Sequence, residues 1–276
     1  MRLIALITDF GLKDPYVGVM KAVIKSINPG VEVVDITHMI TRHDVIEAAV
    51  ALLVSARYFP RETIFVAVVD PGVGSERRPI LIESNNYILI GPDNGVLTLL
   101  AERDGVKRVF EITNSAYMLG DLSYTFHGRD VFAPVAAYVS KGIPLESVGK
   151  ELKWDQLVKI EVSKPAFLRD NSHTVIKASA LYIDVFGNVM TNVEKKDLVG
   201  LEPRYGSLIK LFSKTGIHRC IYERTFSRVP EGELACYINS WGYLEVAVNK
   251  GDASKKLGVS RGDIIEFYIE EHVTRA

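Results

Sequence analysis

"VVDPGVGSERRP", residues Val68–Pro79, finishes an apolar strand and then sets a carboxylate, two glycines and two arginines into the positions from Asp70 onward. The strand itself, "TIFVAVVD", shows no polar alternation. It therefore reads as covered on both faces, the signature of a parallel sheet packed between helices. Asp-Pro-Gly is ordinary turn chemistry, with proline fixing φ and glycine supplying positive φ. That accounts for Pro71 and Gly72. It leaves Arg77 and Arg78 without a reason, because a turn needs no guanidinium group beside a buried strand.

The same pattern extends to either side. "LIALITD" reads as the first strand, followed by a helix capped by Asp14 with Pro15 at its first position; Val17, Met20, Val23, Ile24 and Ile27 form its apolar face and "NPG" stops it. "VEVVDIT" is a second strand, and Asp44 with Glu47 makes a capping box for the helix "VIEAAVALLVSARYF". Past the opening stretch, "PILIES" and "YILIGPD" predict a hairpin turning at Asn85-Asn86. A helix "GVLTLLAERDG", a strand "RVFEIT" and a helix "VFAPVAAYVSKG", introduced by "YTFHGRD", complete the series. Strands alternating with amphipathic helices predict an α/β N-terminal domain, residues 1–160, with a mostly parallel central sheet covered by helices. Asp9-Phe10-Gly11, Asp70-Pro71-Gly72 and Gly91-Pro92-Asp93-Asn94-Gly95 all lie at strand exits, where open α/β sheets collect their ligands.

From about Phe167 the helical period disappears. "TVIKASALYIDVFGNVMTN", "SLIKLF", "IHRCIYER", "LACYINSWGYLEVAVN" and "DIIEFYIE" are short β-like runs that predict an all-β C-terminal barrel domain, residues 161–276. The boundary falls between Lys150 and Ser172. Lys and Arg number 33 against 34 Asp and Glu, a formal net charge of −1, so no electrostatic footprint points to nucleic acid or an anionic membrane. The expected partner is a small molecule. No stretch approaches the roughly 20 apolar residues of a membrane span, and the opening apolar run ends in Asp9 without a cleavage signal; a cytoplasmic protein is expected. Cys220 and Cys236 have neither zinc-site nor disulfide-framework spacing and are expected as buried free thiols. A single glutamine, Gln156, hints at a heat-adapted source.

Each candidate for chemistry also has an ordinary structural reading. Asp9, Asp70 and Asp93 could be turn or cap residues, Arg77 or Arg78 a solvated side chain, and Arg129-Asp130 a local ion pair. His127 in "TFHGRD" stands between an aromatic residue and a glycine just before a helix. If the first and third strands are neighbours, Asp9 and Asp70 emerge at one sheet end, near the helix start that carries His127. In the second half, "DVFGNVMTN" and "INSWGYL" suit recognition of an amino-acid head group or a purine, because Asp184 and Asn188 can accept and donate around an ammonium and a carboxylate. They also read as two hairpin turns.

Taken together and in order, "TDFG", "VVDPGVGSERRP", "GPDNGVLT", "TFHGRDVFAPVAA", "DVFGNVMTN" and "INSWGYLEVAVN" resemble the S-adenosyl-L-methionine (SAM) hydroxide adenosyltransferase family, which is related to the SAM-dependent fluorinase and chlorinase. The resemblance implies hydrolysis of SAM to adenosine and L-methionine, with no cofactor and no metal. It also implies a homotrimer with the ligand between one subunit's N-domain and its neighbour's C-domain. Residue by residue, Asp9 falls where the family holds the ribose hydroxyls, and Phe126 near the ribose and sulfonium. Asp184, Asn188 and Ser240 fall on the methionine end, although "DVFGN" is one residue shorter than in the fluorinase and Trp241 replaces an arginine. Asp70, Arg77 and His127 match the hydrolase's Asp-Arg-His set, Arg77 being preferred to Arg78 on its spacing from Asp70. Which of them takes the proton from water stays open. The halogenases carry a tyrosine in place of Asp70, and Gly128 replaces a serine of the fluorinase.

Three other functions compete. A SAM-dependent chlorinase would share the pocket but lack the Asp-Arg-His set. A metal-dependent hydrolase would draw on His38, His43, His127 and nearby aspartates, yet no metal-ligand spacing is present. A non-catalytic SAM- or adenosine-binding protein would keep Asp9, Asp184 and Asn188 without turnover.

Overall fold

In the computed structural model, which describes residues 2–169, 173–201 and 203–270, the chain divides into two compact units, Met1–Ile160 and Glu161–Ala276. Ser172, the outer limit of the expected boundary, lies outside the described residues.

The first unit is built on a seven-stranded sheet. Its strands are β1 (Leu3–Thr8), β2 (Glu32–Thr37), β3 (Ile64–Val68), β4 (Pro79–Ser84), β5 (Ile88–Pro92), β6 (Val106–Ile112) and β7 (Gly149–Leu152), in the order β2-β1-β3-β5-β4-β6-β7. Pairing is parallel from β2 to β5 and antiparallel from β5 to β7, so the α/β class holds with a mixed sheet. Every residue of β3 is buried, as its unbroken apolar run requires. Helices α1 (Tyr16–Ile27) and α4 (Ala133–Ser140) pack on each other, and Met20, Ile24, Val135 and Val139 close over Ile4, Leu6, Val66 and Val68. Burying each of these larger side chains stabilises the unit by about 1.5–3 kcal/mol. Two further helices, α2 (Val45–Ala56) and α3 (Thr98–Asp104), pack against each other and take no part in that cluster.

Local signals are mostly obeyed. The Asp44 carboxylate accepts from Glu47 N and caps α2, whereas Glu47 reaches back to Thr41 N rather than to the cap residue. The hairpin β4–β5 turns at Asn85-Asn86. At α1 the expectation needs correcting: Pro15 is the N-cap and no side chain caps the helix, so Asp14 is left at the edge of a cavity.

The second unit is a barrel. Strands β9 (His173–Ile183), β10 (Val189–Glu194), β11 (Leu208–Ser213), β12 (Gly216–Tyr222), β13 (Leu234–Ile238), β14 (Tyr243–Val248) and β15 (Ile264–Glu270) run in the order β10-β14-β13-β12-β11-β15-β9, and β9 pairs with β10 to close the ring. Closure by seven strands removes the exposed edges that an open sheet would carry. β8 (Ala166–Arg169) lies alongside β9, and the short helix α5 (Ala253–Leu257) follows β14.

The cysteines overturn their expectation. β12 and β13 are parallel neighbours with Cys220 opposite Leu234 and Tyr222 opposite Cys236. This register sets both fully buried cysteines in the barrel core with Cα atoms 6.0 Å apart, and they form a disulfide. A bond across a sequence separation of 16 removes loop freedom from the unfolded chain, which contributes about 3 kcal/mol. Thiol titration of protein denatured without reductant is therefore expected to find no free thiol, and the Cys220→Ala/Cys236→Ala variant to melt several degrees lower. Two titratable thiols in the unreduced protein would contradict the bond.

Candidate active site

β1 and β3 pair in parallel with Thr8 opposite Val68, so the turns that begin at Asp9 and Asp70 leave the sheet side by side. The "TDFG" turn is held from within. Thr8 Oγ1 accepts from Phe10 N at 3.2 Å and lies 2.9 Å from His38 Nδ1, while Gly11 N donates to the His38 carbonyl at 2.7 Å. The buried His38 ring is itself 3.0 Å from Asp35 through Nε2. Asp9 is thereby fixed on the cavity wall, where one of its oxygens accepts from His43 N at 2.9 Å. His43 reaches this position with φ 65°, in the left-handed region.

The stretch 70–77 folds back so that Arg77 grips Asp70. Nε donates to Asp70 Oδ1 and Oδ2 at 3.1 and 2.9 Å, and Nη2 donates to Oδ2. The same Nη2 lies 2.8 Å from His127 Nδ1. Since a guanidinium can only donate, Nδ1 accepts, and the neutral imidazole carries its proton on Nε2. Burial, and next the Arg77 charge, hold the His127 pKa below its ordinary 6.5, outweighing the opposite pull of Asp70 and Asp130. Arg78 turns the other way, to Asp93 and the Gln156 carbonyl. The two adjacent arginines thus have separate partners.

Gly74 makes the convergence possible. Its φ is +77°, and a Cβ there would stand 2.5 Å from the Tyr124 carbonyl oxygen in the loop that leads to His127. That loop is tied down by the buried Asp130, whose side chain accepts from Ser123 N and pairs with Arg129. Phe126 packs edge-on to Tyr16 and Phe10, with ring centroids 5.1 and 5.8 Å apart. A Cβ on Gly128 would come within 3.2 Å of Met20 Sδ and 3.3 Å of the Phe126 ring, so a serine there would have to push its neighbours aside. The cavity these residues enclose measures about 580 Å³ and is lined by Asp9, Asp70, Phe126, His127 and Gly128 among others. Arg77 stands behind Asp70 and His127 and does not line it. Asp9, Asp70, Phe126 and His127 are therefore brought together, with Arg77 supporting them.

Asp184, Asn188 and Ser240 line a different cavity of about 720 Å³ in the barrel unit. Asp184 Oδ1 accepts from Phe186 N and Asn188 N, and Oδ2 accepts from Asn188 Nδ2, so the hairpin-turn reading and the binding reading describe the same residues. Gly187 has φ +80°, and a Cβ there would also collide with the Asp252 carboxylate, so the turn needs glycine on both counts. Ser240 lies on the β13–β14 hairpin beside Trp241, which packs edge-on to Tyr182. Sequence reasoning named His43 only as a metal ligand and missed Tyr16, Tyr237, Asn239 and Glu245, all of which line the two cavities. The signal at Glu245 was present: it is a lone carboxylate in the apolar strand "YLEVAV". Of the histidines considered for a metal, His38 is buried against Thr8 and Asp35, His43 is largely exposed beside Asp9, and His127 bonds Arg77. Among the described residues no three His, Cys, Asp or Glu side chains converge on a point suited to a metal ion.

An α/β unit with acidic turns around one cavity, carried on the same chain as a closed barrel with a second cavity, defines a two-domain protein with a candidate small-molecule site in each domain. The chain belongs to the SAM hydroxide adenosyltransferase family, whose N-terminal domain model matches residues 4–149 and whose C-terminal domain model matches residues 178–266. Proteins named (R)-S-adenosyl-L-methionine hydrolase from Thermus thermophilus and Methanocaldococcus jannaschii are 36% and 38% identical to it, over 95% and 97% of this chain and 98% and 96% of theirs. The crystal structure of an uncharacterised conserved protein from Thermotoga maritima superposes with a TM-score of 0.90 at 39% identity, covering 96% of this chain and 99% of the other. Fluorinases match at lower identity, 29% for that of an Actinoplanes strain over 90% of this chain.

The tautomer argument gives a direct test. Removing the guanidinium in Arg77→Met is expected to raise the His127 pKa, because the neighbouring positive charge that disfavours imidazolium is gone. Asp70→Asn is expected to lower it further, because the favourable anion is gone. Nitrogen-15 NMR of the imidazole reads both signs, and opposite shifts would refute the arrangement.

Proposed function

We propose that the protein hydrolyses S-adenosyl-L-methionine to adenosine and L-methionine, acting on the (R) configuration at sulfur that the names of its relatives specify. The observation that carries this reading is the Asp70–Arg77–His127 cluster, which sets a carboxylate and a neutral imidazole on the wall of the cavity that also holds Asp9. No cofactor is needed, because the leaving group is already activated: the C5′–S bond breaks with its electron pair going to a positively charged sulfur, which leaves as a neutral thioether. What the reaction lacks in water is a nucleophile aligned with that bond.

The cluster supplies it. His127, with Nδ1 occupied by Arg77, offers Nε2–H to the water oxygen and orients a lone pair toward C5′. Asp70 accepts a hydrogen bond from the same water and takes its proton as the new C–O bond forms, then releases it to solvent. Water oxygen ends on C5′ and one proton is released per turnover. Arg77 touches neither water nor substrate; it fixes the carboxylate and the tautomer. Asp9 holds the ribose hydroxyls, Phe126 packs on the ribose and sulfonium side, and Asp184, Asn188 and Ser240 hold the methionine end. Halide is disfavoured because it has no proton to give Asp70, and this separates the reading from a chlorinase.

The substrate is shared between one subunit's N-terminal unit and a neighbour's C-terminal unit in a homotrimer. Supporting this, Leu12 and Tyr124 beside the first cavity are 70% and 83% exposed, and Val185 and Phe186 beside the second are 92% and 73% exposed. Such apolar rims are suited to burial in an interface. No helix among the described residues is long and apolar enough to cross a membrane. A cytoplasmic site fits a SAM-consuming enzyme, and a buried disulfide is compatible with that compartment in hyperthermophiles.

Two experiments test the reading. Turnover in ¹⁸O-labelled water is expected to place the label in the adenosine 5′-hydroxyl, with little or no 5′-chloro-5′-deoxyadenosine even in molar chloride; unlabelled adenosine or a chlorinated main product would overturn it. Asp70→Asn and His127→Ala are expected to lower kcat by about 10²–10⁴ with little change in SAM affinity, whereas Asp9→Ala chiefly weakens binding. Loss of affinity with intact single-turnover rates in the first two variants would reverse the assigned roles.

A further inference from the structure

We propose that Glu245 is the counter-ion for the substrate's α-ammonium group, an assignment that rests on the reading of the substrate as SAM. Glu245 lies on β14 and is only 7% exposed, yet it lines the barrel cavity. Both of its side-chain hydrogen-bond partners donate to it. Tyr237 O–H gives a 2.6 Å hydrogen bond to one carboxylate oxygen, and Asn239 Nδ2 gives a 2.7 Å bond to the other. The orientation of the Asn239 amide is fixed, because its Oδ1 already accepts from Trp241 N and Tyr243 N.

These donors favour an anion, but they bring no positive charge to balance it. Among the described residues no lysine or arginine pairs with Glu245, and Lys250, the cation on the same cavity wall, is bound to Glu231 at 2.9 Å. Asp184, the other carboxylate of this cavity, adds a like charge. Burial, with the Asp184 charge added to it, outweighs the pull of Asn239 and Tyr237 and holds the Glu245 pKa above its ordinary value, the position of a carboxylate that lacks a cation. Tyr237 is pushed far above its ordinary value by burial and by Glu245 itself, so it stays a donor. A buried carboxylate surrounded by neutral donors, beside a second carboxylate, is complete once a ligand brings a cation.

Asp184 is less suited to that part. Three of its acceptor directions are spent on Phe186 N, Asn188 N and Asn188 Nδ2, which shape the turn. It acts on the ligand through the geometry of that turn, while Glu245 supplies the charge.

The test pairs variants with a ligand that lacks the amino group. L-Methionine and 4-(methylthio)butanoate are titrated by calorimetry into wild type, Glu245→Gln and Asp184→Asn, alongside SAM kinetics and melting temperatures. Glu245→Gln is expected to weaken L-methionine and raise KM for SAM by about 10- to 100-fold, the range for one charge-assisted hydrogen bond, with kcat changed less than KM. Wild type is expected to prefer L-methionine over the amino-free acid by a similar factor, and Glu245→Gln to lose that preference. If Glu245→Gln weakens both ligands equally, the proposal is wrong. Asp184→Asn gives an answer even if Glu245→Gln does not fold: it is expected to weaken both ligands while keeping the preference, and a preference that collapses there would put the ammonium on Asp184. Wild type that neither turns over SAM nor binds L-methionine would overturn the substrate reading and this proposal with it. Normal turnover with a collapsed preference in Asp184→Asn would overturn only the role of Glu245.

Discussion

Arg77 carries a permanent charge on a side chain that is 91% buried, and the Asp70 carboxylate is the anion that makes this tolerable. Breaking such a pair by removing one partner typically costs about 3–5 kcal/mol, since the other charge is left uncompensated. Much of the surrounding architecture serves the pair. The parallel register of β1 and β3 brings the two acidic turns together, Gly74 lets the 70–77 stretch approach the Tyr124 backbone, and Asp130 ties down the loop that ends at His127. With Nη2 shared between Asp70 and His127, the guanidinium also decides which imidazole nitrogen carries the proton. One buried cation thereby fixes the position of a carboxylate and the tautomer of a histidine.

The sequence made this arrangement visible as a question rather than as a geometry. An apolar strand ending in Asp-Pro-Gly announced the α/β unit, and two arginines near its exit announced something beyond a turn. Their division of labour was not legible: adjacent residues point to opposite sides of an extended segment, and only the fold reveals Asp70 on one side and Asp93 with the Gln156 carbonyl on the other. The disulfide was hidden for a related reason. Cys220 and Cys236 sit in two apolar runs whose parallel pairing and register cannot be counted from their spacing. Glu245 was passed over because a single charge in a strand is ordinarily a solvated residue, and burial is a property of the closed barrel.

Cys220 and Cys236 also bear on the stability of the barrel. Both are wholly buried in the barrel core, out of reach of cellular thiols unless the barrel opens. Such a bond serves stability rather than signalling.

Charge placement around the substrate poses the harder physical problem. SAM carries positive charge at sulfur and at its ammonium, and the sulfur charge disappears as the C5′–S bond breaks. A bare carboxylate close to sulfur would stabilise the ground state more than the transition state and slow the reaction. Anions are useful only where the ligand's charge persists, at the ammonium, or where the ligand is neutral, at the ribose hydroxyls. On the proposed reading Glu245 and Asp9 meet those two conditions. Asp70, proposed to stand near C5′ and receive the proton, is then the exception, and it is the carboxylate that has an arginine bound to it. On that reading the bound Arg77 offsets the Asp70 charge near the sulfonium, while Oδ1, which accepts a single bond from Arg77 Nε, keeps a direction in which to accept a hydrogen bond from water.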